Sequence, residues 1–78
     1  MSRPIHEIAE DVRDHWPKVY YAAAPYLDAM FSLNKVTDKY GLDDARSILL
    51  YFLNNAVYWR GPDARRIKKE LKEILKNG

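Results

Sequence analysis

The stretch "YWRGPDARRIKKELKEILK", residues 58–76, predicts a helix that begins directly after a Gly–Pro turn. Proline suits the first turn of a helix because the amide hydrogen it lacks has no partner there, and Asp63 complements the positive end of the helix dipole. Apolar residues then recur at the helical period along one face: Ala64, Ile67, Leu71 and Ile74. The stretch therefore predicts a helix over about residues 62–76 with one buried stripe.

The chain before this turn predicts another helix, over about residues 44–59. Apolar residues lie nearly all round it, which is typical of a central, buried helix: Ile48, Leu49, Leu50, Phe52, Leu53, Ala56, Val57 and Trp59. Asp43 is predicted to cap it, because a carboxylate accepts hydrogen bonds from the free amides of the first turn. Asn55 falls among the apolar residues and is predicted to be a structural amide that bonds to a loop.

The N-terminal half predicts helices over about residues 4–15 and 17–40. Pro17 ends the first, because a residue before proline avoids the α conformation. The second keeps one apolar face in register, although Pro25 lies inside it and predicts a kink or a break. Gly41 is predicted to end this helix in a left-handed conformation. We therefore expect an all-α fold, a compact bundle of four helices or of five with a break at Pro25, in a single domain over residues 1–78.

Composition and length restrict the class of protein. The 78 residues are 47% hydrophobic and 13% aromatic, which is too apolar for a disordered chain. Cysteine is absent, so no disulfide and no thiolate ligand is available. No run approaches the roughly 20 apolar residues that a membrane span needs, and the N-terminus lacks the apolar core of a signal peptide. These features predict a soluble, cytoplasmic protein.

The sequence argues against catalysis and metal binding. "HEIAE", residues 6–10, has a glutamate where the zinc motif HExxH has its second histidine. At about 100° per residue, His6 and His15 point to nearly opposite sides of their helix, so we expect a surface His6 and a packed His15. The three glycines are too far apart for a phosphate-binding loop. We therefore predict a protein without enzymatic activity, cofactor or metal.

Charge is sorted by sign along the chain. Residues 1–45 hold five basic and eight acidic side chains, a net charge of −3, whereas residues 46–78 hold eight basic and three acidic, a net charge of +5. The first helix carries an acidic flank of Glu7, Glu10, Asp11 and Asp14. The last helix carries a basic band of Arg65, Lys68, Lys69, Lys72 and Lys76. Three interpretations stay open: both are solvated, the flank meets the band within one chain or across a dimer, or the band binds phosphates.

Six tyrosines in a chain of this length indicate an aromatic surface. Four of them cannot all point inward: Tyr20, Tyr21, Tyr51 and Tyr58. Tyrosine and arginine together are the residues that dominate protein interfaces. The alternative is that the tyrosines line the edge of the core with their hydroxyls in water.

Two segments carry a resemblance to a known group of proteins. "VYYAAAPYLDAM" (19–30) and "YFLNNAVYWRGPDARRIKKEL" (51–71) resemble small uncharacterised helical proteins encoded by bacteriophages and other mobile elements. The matching positions are Pro25, Tyr26, Leu27, Tyr51, Phe52, Leu53, Asn55, Trp59, Arg60, Gly61, Ala64 and Arg65. The resemblance covers less than half of the chain and implies an origin, not an activity.

These features predict a non-enzymatic interaction module that binds another protein, or a second copy of itself as a homodimer. The residues predicted to bind the partner are Tyr58, Arg60, Arg65, Lys68, Lys69 and Lys72. The alternative function is a nucleic-acid-binding accessory protein that uses the basic band. The last two helices have the outline of a helix–turn–helix, but Asp63 at the front of the second would lie close to phosphate, so an ordinary helical hairpin is expected.

Overall fold

The computed structural model describes residues 3–41 and 43–77, which form four α-helices and one pair of very short strands. The helices are α1 (Ile5–His15), α2 (Ala24–Met30), α3 (Ala45–Asn54) and α4 (Pro62–Asn77). The strands β1 (Lys39–Tyr40) and β2 (Asp43–Asp44) pair in antiparallel fashion. The predicted all-α class is confirmed, and the helices predicted at the two ends of the chain match α1 and α4 closely.

The four helices surround one hydrophobic core. α1 packs against α2 and α4, and α3 packs against the same two helices. The largest side chains that are fully buried come from every helix and from the segment after α2: Phe52, Ile5, Ile8, Met30, Leu33, Leu49, Ile67, Leu71 and Val12. Among the described residues no polar or charged side chain is buried, so removal of apolar surface from water is the main stabilising term.

The predicted helix over residues 17–40 is wrong. α2 has only seven residues, and Pro25 is its second residue rather than an interior one. Proline inside a helix removes a hydrogen bond and clashes with the preceding turn, whereas near the first position it costs nothing. Turns occupy the chain on both sides of α2. The segment after α2 is fixed to the start of α1, because the amides of Ile5 and His6 donate to the carbonyls of Asn34 and Leu33.

α3 is shorter and less buried than predicted. It ends at Asn54 instead of residue 59, and Leu50 and Tyr51 are exposed on its outer side. Its cap is Asp44, the last residue of β2, whose carboxylate accepts from the amide of Ser47 at 2.8 Å; the predicted cap, Asp43, lies one residue too early. Asn55 is half-buried and donates to the carbonyl of Tyr51 at 2.8 Å, so it terminates its own helix instead of bonding to a loop.

Two glycines take conformations that other residues rarely adopt. Gly41 has a φ of 62°, as predicted, but it follows β1 and not a helix. Gly61 has a φ of 115° immediately before α4, which lets the chain turn sharply into Pro62. At the far end of α4, Arg46 donates to the carbonyl of Leu75 at 2.6 Å and so satisfies an acceptor that has no partner inside the helix. Within the described ranges, no helix is long and apolar enough to cross a membrane.

The position of Pro25 is tested by Pro25→Ala. At the second residue of α2 the change removes only the restriction that proline places on the unfolded chain, so we expect urea unfolding to show a loss of at most about 1 kcal/mol. Pro62→Ala, at the first residue of α4, is the matched control and is expected to behave alike. A gain approaching about 3 kcal/mol for Pro25→Ala alone would show that Pro25 lies inside a helix after all.

Candidate interaction surface

Trp59 anchors the segment between α3 and α4 to the end of α1. Its ring is buried and stacks on Trp16, with ring centroids 5.0 Å apart and planes 5° apart. Trp16 in turn meets the edge of Phe52 from α3, at 6.2 Å between centroids. The indole N–H of Trp59 donates a long hydrogen bond of 3.4 Å to the carbonyl of His15. The residues next to Trp59 are therefore held in place although they lie in a turn.

A tyrosine cluster lies on the surface beside this anchor; it consists of Tyr20, Tyr21 and Tyr58. Tyr58 precedes the buried Trp59 and is 76% exposed, and Tyr21 is 79% exposed. The Tyr20 ring joins the two, with centroids 6.2 Å from Tyr58 and 4.8 Å from Tyr21, both edge to face. Tyr51 is also exposed but pairs with Tyr26. The prediction that these four tyrosines cannot all point inward is confirmed.

Three cations are here called the cationic group, because two of them lower the pKa of the third, Lys68, which bonds to Trp59: Arg60, Lys68 and Lys72. Lys68 is half-buried, and its Nζ donates to the Trp59 carbonyl at 2.6 Å. Burial lowers the pKa of Lys68, and the nearby positive charges of Lys72 and Arg60 lower it further. The charges of Lys72 and Arg60 thus act on Lys68, whose ammonium lies next to the carbonyl of Trp59. An anion bound there would relieve their repulsion.

The predicted partner-binding residues divide into two sets. Tyr58 and Arg60 flank Trp59 in the chain, Lys68 bonds to its carbonyl, and the charge of Lys72 acts on Lys68. Arg65 and Lys69 are exposed on α4, and among the described residues no carboxylate lies within ion-pair distance of either. Tyr20 and Tyr21 were not among the predicted partner-binding residues, although they contribute two of the three rings of the tyrosine cluster. Their position near Tyr58 depends on tertiary packing. The only indication in the sequence was that two tyrosines follow one another directly.

The acidic flank meets α4 through one residue, Asp11. Its carboxylate accepts from Arg66 at 2.8 and 3.1 Å and from Arg3 at 3.0 Å, and its side chain is only 12% exposed. Arg3 also bonds to both oxygens of Glu70, at 2.7 and 2.9 Å. The flank therefore does reach α4 within one chain, but its partner is Arg66, which lies outside the basic band. The exposed members of the flank and the band do not pair with each other.

The pKa values at this contact follow from its hydrogen bonds. Bonds from Arg66, and then from Arg3, hold the pKa of Asp11 well below its usual range. The pKa of His15 is raised, first by its bond to the backbone carbonyl of Asp11 and then by the negative charges of Asp63 and Asp11. The predicted packed position of His15 is wrong, since the ring is exposed beside these groups. His6 is exposed, as predicted.

Neither a metal site nor a similarity to a known protein indicates what this protein does. Within residues 3–41 and 43–77, no group of three or more His, Cys, Asp or Glu residues is placed to hold a metal ion. No protein-family model, curated protein or solved structure matches the chain. The resemblance to small phage-encoded helical proteins stays a prediction, and the surface around Trp59 carries the functional argument.

Replacing Asp11 tests the contact between α1 and α4. Asp11→Asn should lower the free energy of unfolding at pH 7 by about 1–2 kcal/mol, since it weakens charge-assisted hydrogen bonds to two arginines that each keep a second carboxylate. Because the pKa of Asp11 is depressed in the folded state, its contribution is present above about pH 4 and is lost as the pH falls further.

Urea unfolding of the wild type and of Asp11→Asn at pH 7 and at pH 2.5 measures this dependence. The difference between the two proteins should be smaller at pH 2.5, and part of it should remain because the pKa of Asp11 in the folded protein lies lower still. Asp14→Asn, an exposed change on the same helix, is the control and should unfold like the wild type at both pH values. A constant difference between wild type and Asp11→Asn across this pH range would contradict an ionic role for Asp11.

Proposed function

We propose that the chain is a non-enzymatic protein-interaction module, a compact four-helix bundle that binds a partner protein through the tyrosine cluster and the cationic group. The observation that supports this most is the exposure of Tyr21 and Tyr58, at 79% and 76%, beside the rigidly anchored Trp59. Large aromatic side chains are costly to leave in water, and a contiguous set of them on a small protein is typical of a binding surface.

The residue types suit a small interface. Tyrosine provides a large contact area and a hydroxyl while giving up few rotatable bonds, and arginine is the other residue enriched among those that dominate binding energy. The Trp16–Trp59 stack fixes the backbone at Tyr58 and Arg60 before a partner arrives. The protein should therefore lose less conformational entropy on binding than it would with a flexible loop at this position.

The charges indicate the chemistry of the partner. Arg60 follows Trp59 in the chain and Lys68 donates to the Trp59 carbonyl, and burial, then the charges of Lys72 and Arg60, depress the pKa of Lys68. A partner segment with apolar side chains for the tyrosines and carboxylates for the cations complements both parts of the surface. The origin in phages or mobile elements that the resemblance implies would make a protein of the host a suitable partner.

Affinity capture with matched variants tests the proposed function. The bait proteins are the wild type, Tyr21→Ala/Tyr58→Ala, and Leu50→Ala/Tyr51→Ala, which removes two exposed apolar side chains of α3 outside the tyrosine cluster. We expect a partner that binds the wild type and the α3 variant and binds the cluster variant at least roughly tenfold more weakly, in capture and in titration with the purified partner. A partner that binds all three baits equally would contradict the proposal.

The cationic group also favours a second candidate, a nucleic-acid-binding accessory protein, because cations next to exposed aromatic rings are found in single-strand binding sites. Fluorescence anisotropy with a labelled oligothymidine at 50 and 200 mM salt separates the two functions. The first proposal expects no binding at either concentration. Binding that falls steeply with salt and is lost in Lys68→Ala/Lys72→Ala would replace it by the second.

A further inference from the structure

The outer surface of α1 and α4 is electrically polarised, and we propose that it binds a second copy of the chain as a twofold-symmetric dimer, in which Glu7, Glu10 and Asp14 of each copy pair with Arg65 and Lys69 of the other. All five side chains are exposed. Among the described residues, no opposite charge lies within ion-pair distance of any of them in its own chain. This surface does not include the tyrosine cluster, so the inference is independent of the proposed function.

The acidic side chains point away from the core of their own copy. Ile5, Ile8 and Val12 define the buried side of α1, and Asp11 and His15 turn towards α4. At about 100° per residue the remaining acids of the flank lie roughly opposite the buried side. They form the acidic half of the α1–α4 surface, and it faces solvent.

The basic residues take the corresponding place on α4. Ile67 and Leu71 define its buried side, and Arg66 and Glu70 turn towards α1. By the same spacing, Arg65 and Lys69 lie roughly opposite the buried side. The α1–α4 surface thus consists of an acidic half on α1, a seam of ion pairs, and a mainly basic half on α4 that also includes the exposed Glu73.

The order of the ion pairs fixes the alignment of the two helices. Three side-chain contacts join α1, or the residue just before it, to α4 in reverse order along the chain: Arg3 with Glu70, Asp11 with Arg66, and His15 with Asp63. α1 and α4 are therefore antiparallel. Since a helix rises about 1.5 Å per residue, Glu7 lies at the height of Lys69 to within a few ångströms, and Asp14 lies similarly close to Arg65.

Only one orientation of a twofold axis brings opposite charges together. An axis parallel to both helices, with the two α1–α4 surfaces face to face, places the acidic half of each copy on the basic half of the other and keeps the heights unchanged. An axis that lies across the helices in the interface plane would place like charges together. The favoured arrangement is isologous, with every charge pair made twice.

The association should be weak and sensitive to salt, because exposed ion pairs are individually weak and are screened over about 10 Å at 0.1 M salt. Sedimentation equilibrium at up to about 1 mM protein should give a mass that rises from 9.2 kDa towards twice that value in 50 mM salt. In 500 mM salt we expect the dissociation constant to increase at least roughly tenfold.

Charge-reversal variants test the pairing itself. Glu7→Lys/Glu10→Lys/Asp14→Lys makes the whole surface basic, and Arg65→Glu/Lys69→Glu makes it acidic. Each variant alone should remain at 9.2 kDa, whereas an equimolar mixture should form a heterodimer, because both of its contacts again join opposite charges. Lys18→Glu/Lys35→Glu, with the same charge change as the second variant at exposed positions outside α1 and α4, is the control and should associate like the wild type.

Three results would overturn the proposal: a wild-type mass of 9.2 kDa at every protein concentration in 50 mM salt, self-association that persists in both reversed variants, or a mixture that stays monomeric. Circular dichroism shows whether each variant is folded. Tyr21→Ala/Tyr58→Ala should dimerise like the wild type, so that failure of the tyrosine cluster to bind a partner and failure of the dimer are separate results.

Discussion

The stack of Trp59 on Trp16 is the contact on which the rest of the surface depends. It buries the largest side chain of the segment between α3 and α4, and it joins that segment to the end of α1. The backbone of Trp59 also accepts a hydrogen bond from Lys68 of α4, so a single residue connects three helices. Trp59 is buried whereas its neighbours Tyr58 and Arg60 are exposed, so the stack holds one member of the tyrosine cluster and one member of the cationic group at the surface.

The ion pairs between α1 and α4 use only some of the charged residues on these helices, so, among the described residues, acids on α1 and bases on α4 remain unpaired at the surface. Asp11 takes Arg3 and Arg66 as partners at the seam between α1 and α4, and Glu70 shares Arg3. Those pairs use the residues that core packing brings to the seam. The acids and bases farther round each helix are out of reach of one another, which leaves a surface whose two halves differ in sign. The separation of acidic and basic residues along the sequence therefore places them on opposite halves of the α1–α4 surface.

The parts of the fold that are local in sequence were predictable, and the parts that depend on packing were not. α1 and α4 have clear apolar stripes and proline boundaries, and both lie close to the predicted ranges. The apolar pattern that continued across Pro25 was misleading. Some of its buried residues belong to the turns and loops on either side of α2 and not to a helix. The Asp11–Arg66 pair and the approach of Tyr20 to Tyr58 depend on how elements pack, which periodicity within one helix cannot specify.

Trp59 is held against Trp16, and this contact keeps Tyr58 in solvent. A nuclear Overhauser spectrum of the protein tests this directly. We predict strong cross-peaks between the two indole rings, slow exchange of the Trp59 indole N–H, and a Tyr58 ring that a soluble paramagnetic probe broadens. Absence of ring-to-ring cross-peaks, together with a Trp59 indole N–H that exchanges as fast as that of a free indole, would contradict the account.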